Sequence, residues 1–417
     1  MIRSVSECLL RGTAMLIVQK FGGSSVADAA KIERVAGIIA DSYRAGNEVV
    51  VVLSAQGDTT DDLIEKAREI NPNPSKREMD VLLTVGEQIS VALMAMQLEK
   101  MRLPAVSLTG WQIEMNTNST HGAARIKSVS TERIRRELDK RRIVLIAGFQ
   151  GINKFGDVTT LGRGGSDTTA VAIAAVLGAD KCQIYTDVDG VYTADPRKVP
   201  GAKKLNAITY DEMLELASLG SQVLHNRSVE LAKRYRVDLE VLSSYERKPG
   251  TKVKEVVKNV ERMIISGVAK DAGIARITVV GVPDEPGVAF RVFSVMGKAK
   301  INVDIILQSA GKNGSNDISF TVAEDDADAA KAVLEEAAES IGCERIAVDR
   351  SVAKVSVVGA GLMNAPGMAV KMFEALADCR INIQMISSSE IKLSAVIDQA
   401  DADRAVQAVH EKYFGEG

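Results

Sequence analysis

The sequence predicts a doubly wound α/β domain with a mostly parallel sheet, followed by two copies of a smaller βαββαβ module. Three observations predict it. Strand and helix signals alternate through the first half of the chain. Val49-Val-Val-Val-Leu53 is an apolar run without polar alternation, the pattern of a strand buried on both faces of a helix-covered parallel sheet. In the last third, Ala275-Arg-Ile-Thr-Val-Val-Gly281 matches Ala353-Lys-Val-Ser-Val-Val-Gly359. Pro286-Gly287 likewise matches Pro366-Gly367, and Ile301-Asn-Val-Asp304 matches Ile381-Asn-Ile-Gln384. The Gly-to-Asn separation is fifteen residues in both copies, so the segments repeat in register.

Taken in order, Leu16 to Lys20 reads as a strand and Gly22 to Ser25 as a turn. A helix follows through Ile32, Val35, Ile38 and Ile39, spaced for one face and stopped near Gly46. The Val49–Leu53 strand comes next, and 71–75 (Asn-Pro-Asn-Pro-Ser) is a loop. Ile143 to Ala147 is a strand, Thr168 to Leu177 a helix closed by Gly178, and Cys182 to Thr186 and Val237 to Leu242 are further strands. These give a first domain over 15–245. The turn-rich, charged stretch 246–262 is read as a linker, 263–345 as the first small module and 346–417 as the second. A leading strand over 263–269 is a candidate for donation to the second module. Residues 1–14 differ in texture, and Met15 is read as the native start, which mass spectrometry of the native N-terminus checks.

Lys plus Arg total 52 and Asp plus Glu 55, a net charge of −3 in 417 residues, so no polyanion or membrane surface is an expected partner. Aromatics are 4%, which leaves the core to Val, Ile, Leu and Ala. Cys8, Cys182, Cys343 and Cys379 show no CxxC spacing, and with only three histidines no metal site is expected. The longest nearly apolar stretch noted, Ala170 to Ala179, is far short of the ~20 residues that span a bilayer. With no secretory leader pattern, the chain is read as cytoplasmic.

There is no GxxxxGK[ST]. Instead, Lys20-Phe-Gly-Gly-Ser-Ser25 sits where a strand meets a helix. A glycine pair lets backbone N–H groups approach an anion, with Lys20 adding a full charge; a plain tight turn fits the same residues. Leu161-Gly-Arg-Gly-Gly-Ser-Asp167 opens an apolar helix. Arg163 there can clamp a carboxylate or phosphate with two parallel hydrogen bonds, although Ser166 or Asp167 alone would also suit an N-cap. Tyr185 to Lys198 follows a buried strand, at the sheet edge where open α/β sheets bind ligands, and also reads as an Asp/Pro/Gly surface loop. Weaker signals are the hydroxyl-rich loop Leu53 to Thr60 and Glu87, which could hold an amino group or serve a helix's first turn.

KFGGSSVAD (Lys20–Asp28), VVVLSA (Val50–Ala55), TTLGRGGSDTTA (Thr159–Ala170) and YTDVDGVYTADPR (Tyr185–Arg197) are similar to the aspartate kinase family, of the amino-acid-kinase fold. The duplicated module resembles that family's paired ACT domains. The resemblance runs from about Met15 to the C-terminus; Gln88 departs from many relatives but leaves Glu87 in place.

It implies transfer of a phosphoryl group from MgATP to the side-chain carboxylate of L-aspartate, the first step toward lysine, threonine, methionine and diaminopimelate. It implies Lys20 and Asp167 as catalytic residues. ATP would be bound by Lys20, Phe21, Gly22, Gly23, Ser54, Thr186, Asp187, Tyr192, Asp195, Arg197 and Lys198, with Mg²⁺ carried mainly on the nucleotide phosphates. Aspartate would be held by Asp58, Thr59, Thr60, Glu87, Arg163, Gly164, Gly165 and Ser166.

The ACT pair implies inhibition by lysine and/or threonine, at candidates Asp284, Pro286, Gly287, Asn302, Asp304, Gln308, Asn364, Pro366, Gly367, Asn382 and Gln384. It also implies a homodimer or higher oligomer through these domains, with a separately translated regulatory chain as a further partner. The alternatives are domains that only dimerise, a kinase for another amino acid, and an inactive amino-acid sensor. The retention of Lys20, Arg163 and Asp167 weighs against the last.

Overall fold

The structure is a computed structural model that describes residues 14–219, 223–255, 265–310, 315–362 and 367–415. The chain forms two compact units. The first holds the described chain up to Val191, then Lys204–Ser218 and the stretch through Glu255. The second holds Tyr192–Lys203, Leu219 and the described chain from Ile265 onward.

The first unit begins with β1 (Leu16–Phe21), α1 (Ala29–Arg44), β2 (Glu48–Leu53), α2 (Thr59–Ile70), α3 (Lys76–Leu83), α4 (Val85–Lys100) and β3 (Ala105–Leu108). It continues through β4 (Asn116–Thr117), β5 (Ile126–Ser128), α5 (Glu132–Asp139), β6 (Ile143–Ala147), β7 (Gln150–Ile152), β8 (Val158–Thr160), α6 (Gly165–Leu177) and β9 (Lys181–Thr186). It closes with β10 (Ala207–Thr209), α7 (Tyr210–Ser218), α8 (Asn226–Tyr235), β11 (Leu239–Ser243) and β12 (Thr251–Lys254). The main sheet has the order β10-β12-β11-β9-β1-β2-β6-β3, with parallel pairing everywhere except β11 to β12. Val49, Val51 and Leu53 pack under α1 and α4, while Val50 and Val52 are equally buried on the opposite face. That two-sided burial is why β2 carries no polar alternation. The central β1 has β2 and β9 on either side, so the carboxyl ends of these strands form the crevice where such sheets bind ligands.

Several sequence expectations are corrected here. Segment 246–262 is not wholly linker, because Thr251-Lys-Val-Lys254 is a strand of the main sheet. Thr251 and Val253 are buried while Lys252 is exposed, so its two lysines gave it a linker's charged texture. Domain 15–245 is interrupted as well. Ala194 and Val199 bury in the second unit's core, Thr193 O accepts from Val268 N at 2.7 Å, and the Thr193 hydroxyl lies 2.8 Å from His410 Nε2. The second sheet, β5-β4-β7-β8, consists of strands too short to show a period. Finally, the helical run Lys76–Lys100 is long and apolar enough to cross a membrane, by length and composition only; its α4 half covers β3 and β6.

The second unit carries β13 (Gly267–Asp271), β14 (Ile274–Pro283), α9 (Val288–Lys298), β15 (Ile306–Ala310), β16 (Ser315–Ala323), α10 (Ala327–Glu336), α11 (Ala338–Ile341) and β17 (Arg345–Asp349). Then come β18 (Val352–Val358), α12 (Met368–Asp378), β19 (Met385–Ser388), β20 (Lys392–Asp398) and α13 (Ala402–Phe414). Its sheets have the orders β15-β16-β14-β17 and β19-β20-β18-β13. The duplication is therefore visible strand by strand. β13, from ahead of the first copy, fills the position in the second sheet that β17 fills in the first, pairing antiparallel with β18. Gly287 and Gly367 precede α9 and α12 with nearly the same left-handed backbone (φ 96° and 89°), which favours glycine at both.

Candidate active site

The carboxyl ends of β1, β2 and β6 meet the start of α6 around a cleft of about 780 Å³, lined entirely by the first unit. Lys20, next to last in β1, points its Nζ at Asp167 Oδ1, 2.7 Å away. Both side chains are nearly buried, at 12% and 11% exposed, so this is a fixed pair and not a solvated one. The loop at Gly23 lies against the loop after β2. Gly57 N donates to Gly23 O at 3.1 Å, and a Cβ at Gly23 would stand 2.5 Å from Ala55 O. Only glycine permits that approach.

The N-terminus of α4 meets the same loop, where a Cβ on Gly86 would lie 2.7 Å from the Ala55 Cβ. The contact brings Glu87 inward. Its Oε1 accepts from Ala55 N at 3.3 Å, and its Oε2 is buried with no hydrogen-bond partner. Burial pushes the Glu87 carboxyl up from 4.5 to about 8, against the smaller opposing effect of backbone N–H donors. A buried, half-satisfied carboxyl lining a cleft is suited to a cationic ligand group.

Opposite, β8 runs into the turn Leu161–Gly164 and then α6. Gly162 and Gly164 take left-handed conformations (φ 78° and 66°), and Arg163 between them is exposed and lines the cleft. The helix begins at Gly165 and has no side-chain cap, so Ser166 and Asp167 stand inside its first turn and are not its N-cap. That leaves a helix N-terminus facing a cleft lined by Lys20, Lys76 and Arg163, a favourable place for anions. The glycine pair of the first motif is different. Residues 23–25 form a single 3₁₀ turn, and α1 starts only at Ala29, where Asp28 already caps Lys31 N.

Lys20, Gly23, Ser54, Thr60, Glu87, Arg163, Gly164, Gly165, Ser166 and Asp167 thus line one cleft. Gly22 adjoins it, with Lys20 Nζ 3.6 Å from where its Cβ would be. Phe21 is corrected to a core side chain; it is fully buried and stacked on Tyr185 at 4.5 Å, and only its backbone reaches the strand end. Asp58 and Thr59 begin α2 without lining the cleft. Thr186 and Asp187 close β9, joined by a 2.9 Å hydrogen bond. Tyr192, Asp195, Arg197 and Lys198 belong to the second unit. There Arg197 grips Asp195 through two 3.0 Å hydrogen bonds and holds its carboxyl below the ordinary range, while Lys198 pairs with Asp403.

The cleft also shows what sequence reasoning missed: Lys76, Asp80, His121, Phe149 and Thr160. The available signal was Asp80 inside an apolar helical run, two helical turns before Glu87.

Of the effector candidates, Asp284 accepts from Asn316 Nδ2 and Asp304 pairs with the buried Lys354. Gln308 lies on edge strand β15, and Gln384 Oε1 is buried without a partner. Pro286 and Gly287 form the turn before α9, Gly367 directly precedes α12, and Asn302 and Asn382 are exposed after α9 and α12. Asn364 and Pro366 lie outside the described residues. Among the described residues, no group of three or more His, Cys, Asp or Glu could hold a metal ion.

A family model described as the amino acid kinase family matches residues 15–243, and one described as the ACT domain matches 277–338 and 355–413. The aspartokinase of Mycolicibacterium smegmatis is 51% identical over 95% of this chain and 96% of its own. The chain belongs to the aspartate kinase family. It is a phosphotransferase with a carboxyl acceptor, in a family that uses ATP. The structure of E. coli aspartokinase III in complex with aspartate and ADP (R-state) has a TM-score of 0.82 at 27% identity, covering 96% of this chain and all of that one. The same E. coli enzyme in complex with lysine and aspartate (T-state) has a TM-score of 0.72 at 27% identity, with 96% and 99% covered.

Proposed function

We propose that this aspartate kinase binds L-aspartate across the cleft between Arg163 and Glu87 and phosphorylates its side-chain carboxylate beside Lys20. The observation that carries the reading is the convergence of a cation fork, an unpartnered buried carboxyl and a fixed lysine on one cavity. Aspartate presents an α-carboxylate, an α-ammonium and a reacting carboxylate. Arg163 with Ser166 and the α6 N-terminus receives the first, and Glu87 the second. Thr60, in the cleft lining, flanks the third, backed by Asp58 and Thr59 at the start of α2.

Phosphoryl transfer needs in-line placement and neutralisation of spreading charge, with no covalent partner from the chain. Lys20 supplies that charge where attacking carboxylate and transferring phosphoryl meet, and Asp167 aims it. Gly22 and Gly23 bring backbone N–H groups to the phosphates. Ser54, the Phe21 backbone, Thr186 and Asp187 contact the nucleotide. Mg²⁺ would be carried mainly by the nucleotide and would supply charge neutralisation there, which fits a cleft whose Asp80 and Asp167 are already engaged by the chain. The products are 4-phospho-L-aspartate and ADP.

A coupled ADP-release assay tests this: turnover depends on L-aspartate and Mg²⁺, and aspartate-independent turnover would contradict it. The Glu87 site adds a pH signature. With its carboxyl raised to about 8, the empty enzyme is protonated there at neutral pH. A substrate ammonium needs the carboxylate, so the KM for aspartate falls as pH rises from about 6.5 to 8, and Glu87→Gln flattens that slope. Stability runs the other way. Because the folded value is raised, the contribution of Glu87 is fully present below about 4.5 and is lost by pH 8. Ligand-free Glu87→Gln therefore gains Tm over the wild type as pH climbs through that window. A constant Tm difference would contradict the burial argument.

Placement toward lysine, threonine, methionine and diaminopimelate, in the cytoplasm, is part of the same proposal. So is feedback control by lysine and/or threonine at the ACT pair, supported by the lysine complex of the E. coli relative. Repeating the ADP-release assay with lysine and threonine, alone and together, shows which inhibits. Asp304→Ala and Gln384→Leu should weaken that inhibition, and unchanged inhibition in both would remove these side chains from the effector site. Self-association through the ACT sheets is supported by the end strands β15 and β19, which expose Ile306, Leu307 and Ile386. Light scattering on Ile306→Lys/Ile386→Lys should show a smaller assembly than the wild type, and an unchanged mass would place the contact elsewhere.

A further inference from the structure

We propose that Asp80 is a positioning residue for aspartate binding, holding the turn that carries Arg163 in the conformation that grips the substrate. This rests on the reading of Arg163 as the clamp on the α-carboxylate. Asp80, on α3, is 1% exposed although it lines the cleft. Both of its oxygens are taken by the chain. Oδ1 accepts from Thr160 Oγ1 at 2.6 Å and Gly122 N at 3.0 Å; Oδ2 lies 2.7 Å from His121 Nδ1 and 3.1 Å from Gly122 N. A carboxylate that deep needs such donors, and one so fully engaged has its interactions inside the protein rather than with the substrate.

Those donors come from two segments outside α3, and both lead to Arg163. Thr160 ends β8, three residues before it. The His121–Gly122 turn is stitched to the same place: Ala124 N donates to Thr160 O at 2.8 Å, and a Cβ on Gly162 would stand 3.0 Å from Gly122 O. Arg227 braces the far side through Leu161 O at 2.7 Å and Ala124 O at 2.8 Å. Arg163 itself sits exposed between two left-handed glycines. A glycine-flanked turn has much conformational freedom to lose, and a guanidinium on a loose turn spends that loss each time it binds. The Asp80 hub removes most of it before the substrate arrives, which is how a supporting shell makes a binding group effective.

The test is steady-state kinetics on the full chain carrying Asp80→Asn, Thr160→Val, Thr160→Ser or Arg163→Ala, with thermal melts alongside. Asp80→Asn turns an amide toward the Gly122 N–H, and Thr160→Val deletes the hydroxyl at nearly the same volume. Each is expected to raise the KM for aspartate by about tenfold, leaving the KM for ATP and kcat within about twofold. Thr160→Ser restores the hydroxyl and should restore the KM. If Asp80→Asn does not fold, the two Thr160 variants carry the test.

A folded Thr160→Val with normal aspartate KM overturns the proposal. So does a loss shared equally by both substrates that Thr160→Ser does not repair, since that is what a merely structural role produces. Arg163→Ala separates the layers. If it leaves the aspartate KM unchanged, the clamp reading falls and the proposal with it; if it raises that KM while the Asp80 and Thr160 variants do not, only the positioning role falls.

Discussion

Lys20→Ala is expected to lower kcat by about 10²–10³-fold while the protein remains folded. The lysine is the full positive charge at the end of β1, and a 2.7 Å contact with Asp167 holds it in one orientation. Charge placed in advance needs no reorganisation when the phosphoryl group moves, and that advantage is lost as a unit when the side chain goes. The fold does not depend on it, because the apolar core of the sheet lies on its neighbours Phe21 and Val18. Asp167→Asn should reproduce part of the loss, since it leaves the charge but not its aim. Single-turnover kinetics and far-UV circular dichroism check both claims. Near-normal turnover in a folded Lys20→Ala protein would remove Lys20 from the chemistry.

Arg163→Ala is expected to act on binding, raising the KM for aspartate by about 10- to 100-fold with little change in the KM for ATP. The reason is positional. Arg163 lines the same cleft as Glu87, on a turn between two left-handed glycines, and a planar fork there can meet a carboxylate with two hydrogen bonds. Arg163→Lys should recover only part of the affinity, because an ammonium lacks that fork. Initial rates at varied aspartate and fixed saturating ATP measure this. A change confined to ATP would mean that the fork faces the nucleotide.

What was legible in the sequence follows from how its signals are built. The Lys20 and Arg163 motifs stood out because glycines at a strand–helix junction mark close backbone approach, and the structure shows the approach at Gly23 directly. The buried strands β2 and β6 were equally plain, since two-sided burial leaves no polar residue in Val49–Leu53 or Ile143–Ala147. Glu87 was legible as a residue to hold an amino group, with a helix's first turn as the alternative, but its burial was not. Its burial depends on Gly86 meeting Ala55, which no local pattern reports.

Asp80, His121 and Thr160 were missed for a similar reason. Their meaning lies in hydrogen bonds between residues 41 and 80 positions apart. The misread segments were those where local texture and tertiary use disagree. Thr251–Lys254 looks charged yet completes the sheet, so a truncation near residue 250 would damage the catalytic unit as well as remove the ACT domains. Tyr192–Lys203 continues the first domain in sequence yet buries Ala194 and Val199 in the second unit's core.

One cleft recognises the two ends of aspartate separately in the proposed reaction. Succinate, which lacks the α-ammonium, tests this most directly through the ratio of kcat/KM for aspartate over succinate in wild type and Glu87→Gln. A large ratio is expected in the wild type, shrinking at least about tenfold in Glu87→Gln, with the loss falling on aspartate. An unchanged ratio in the variant would contradict it.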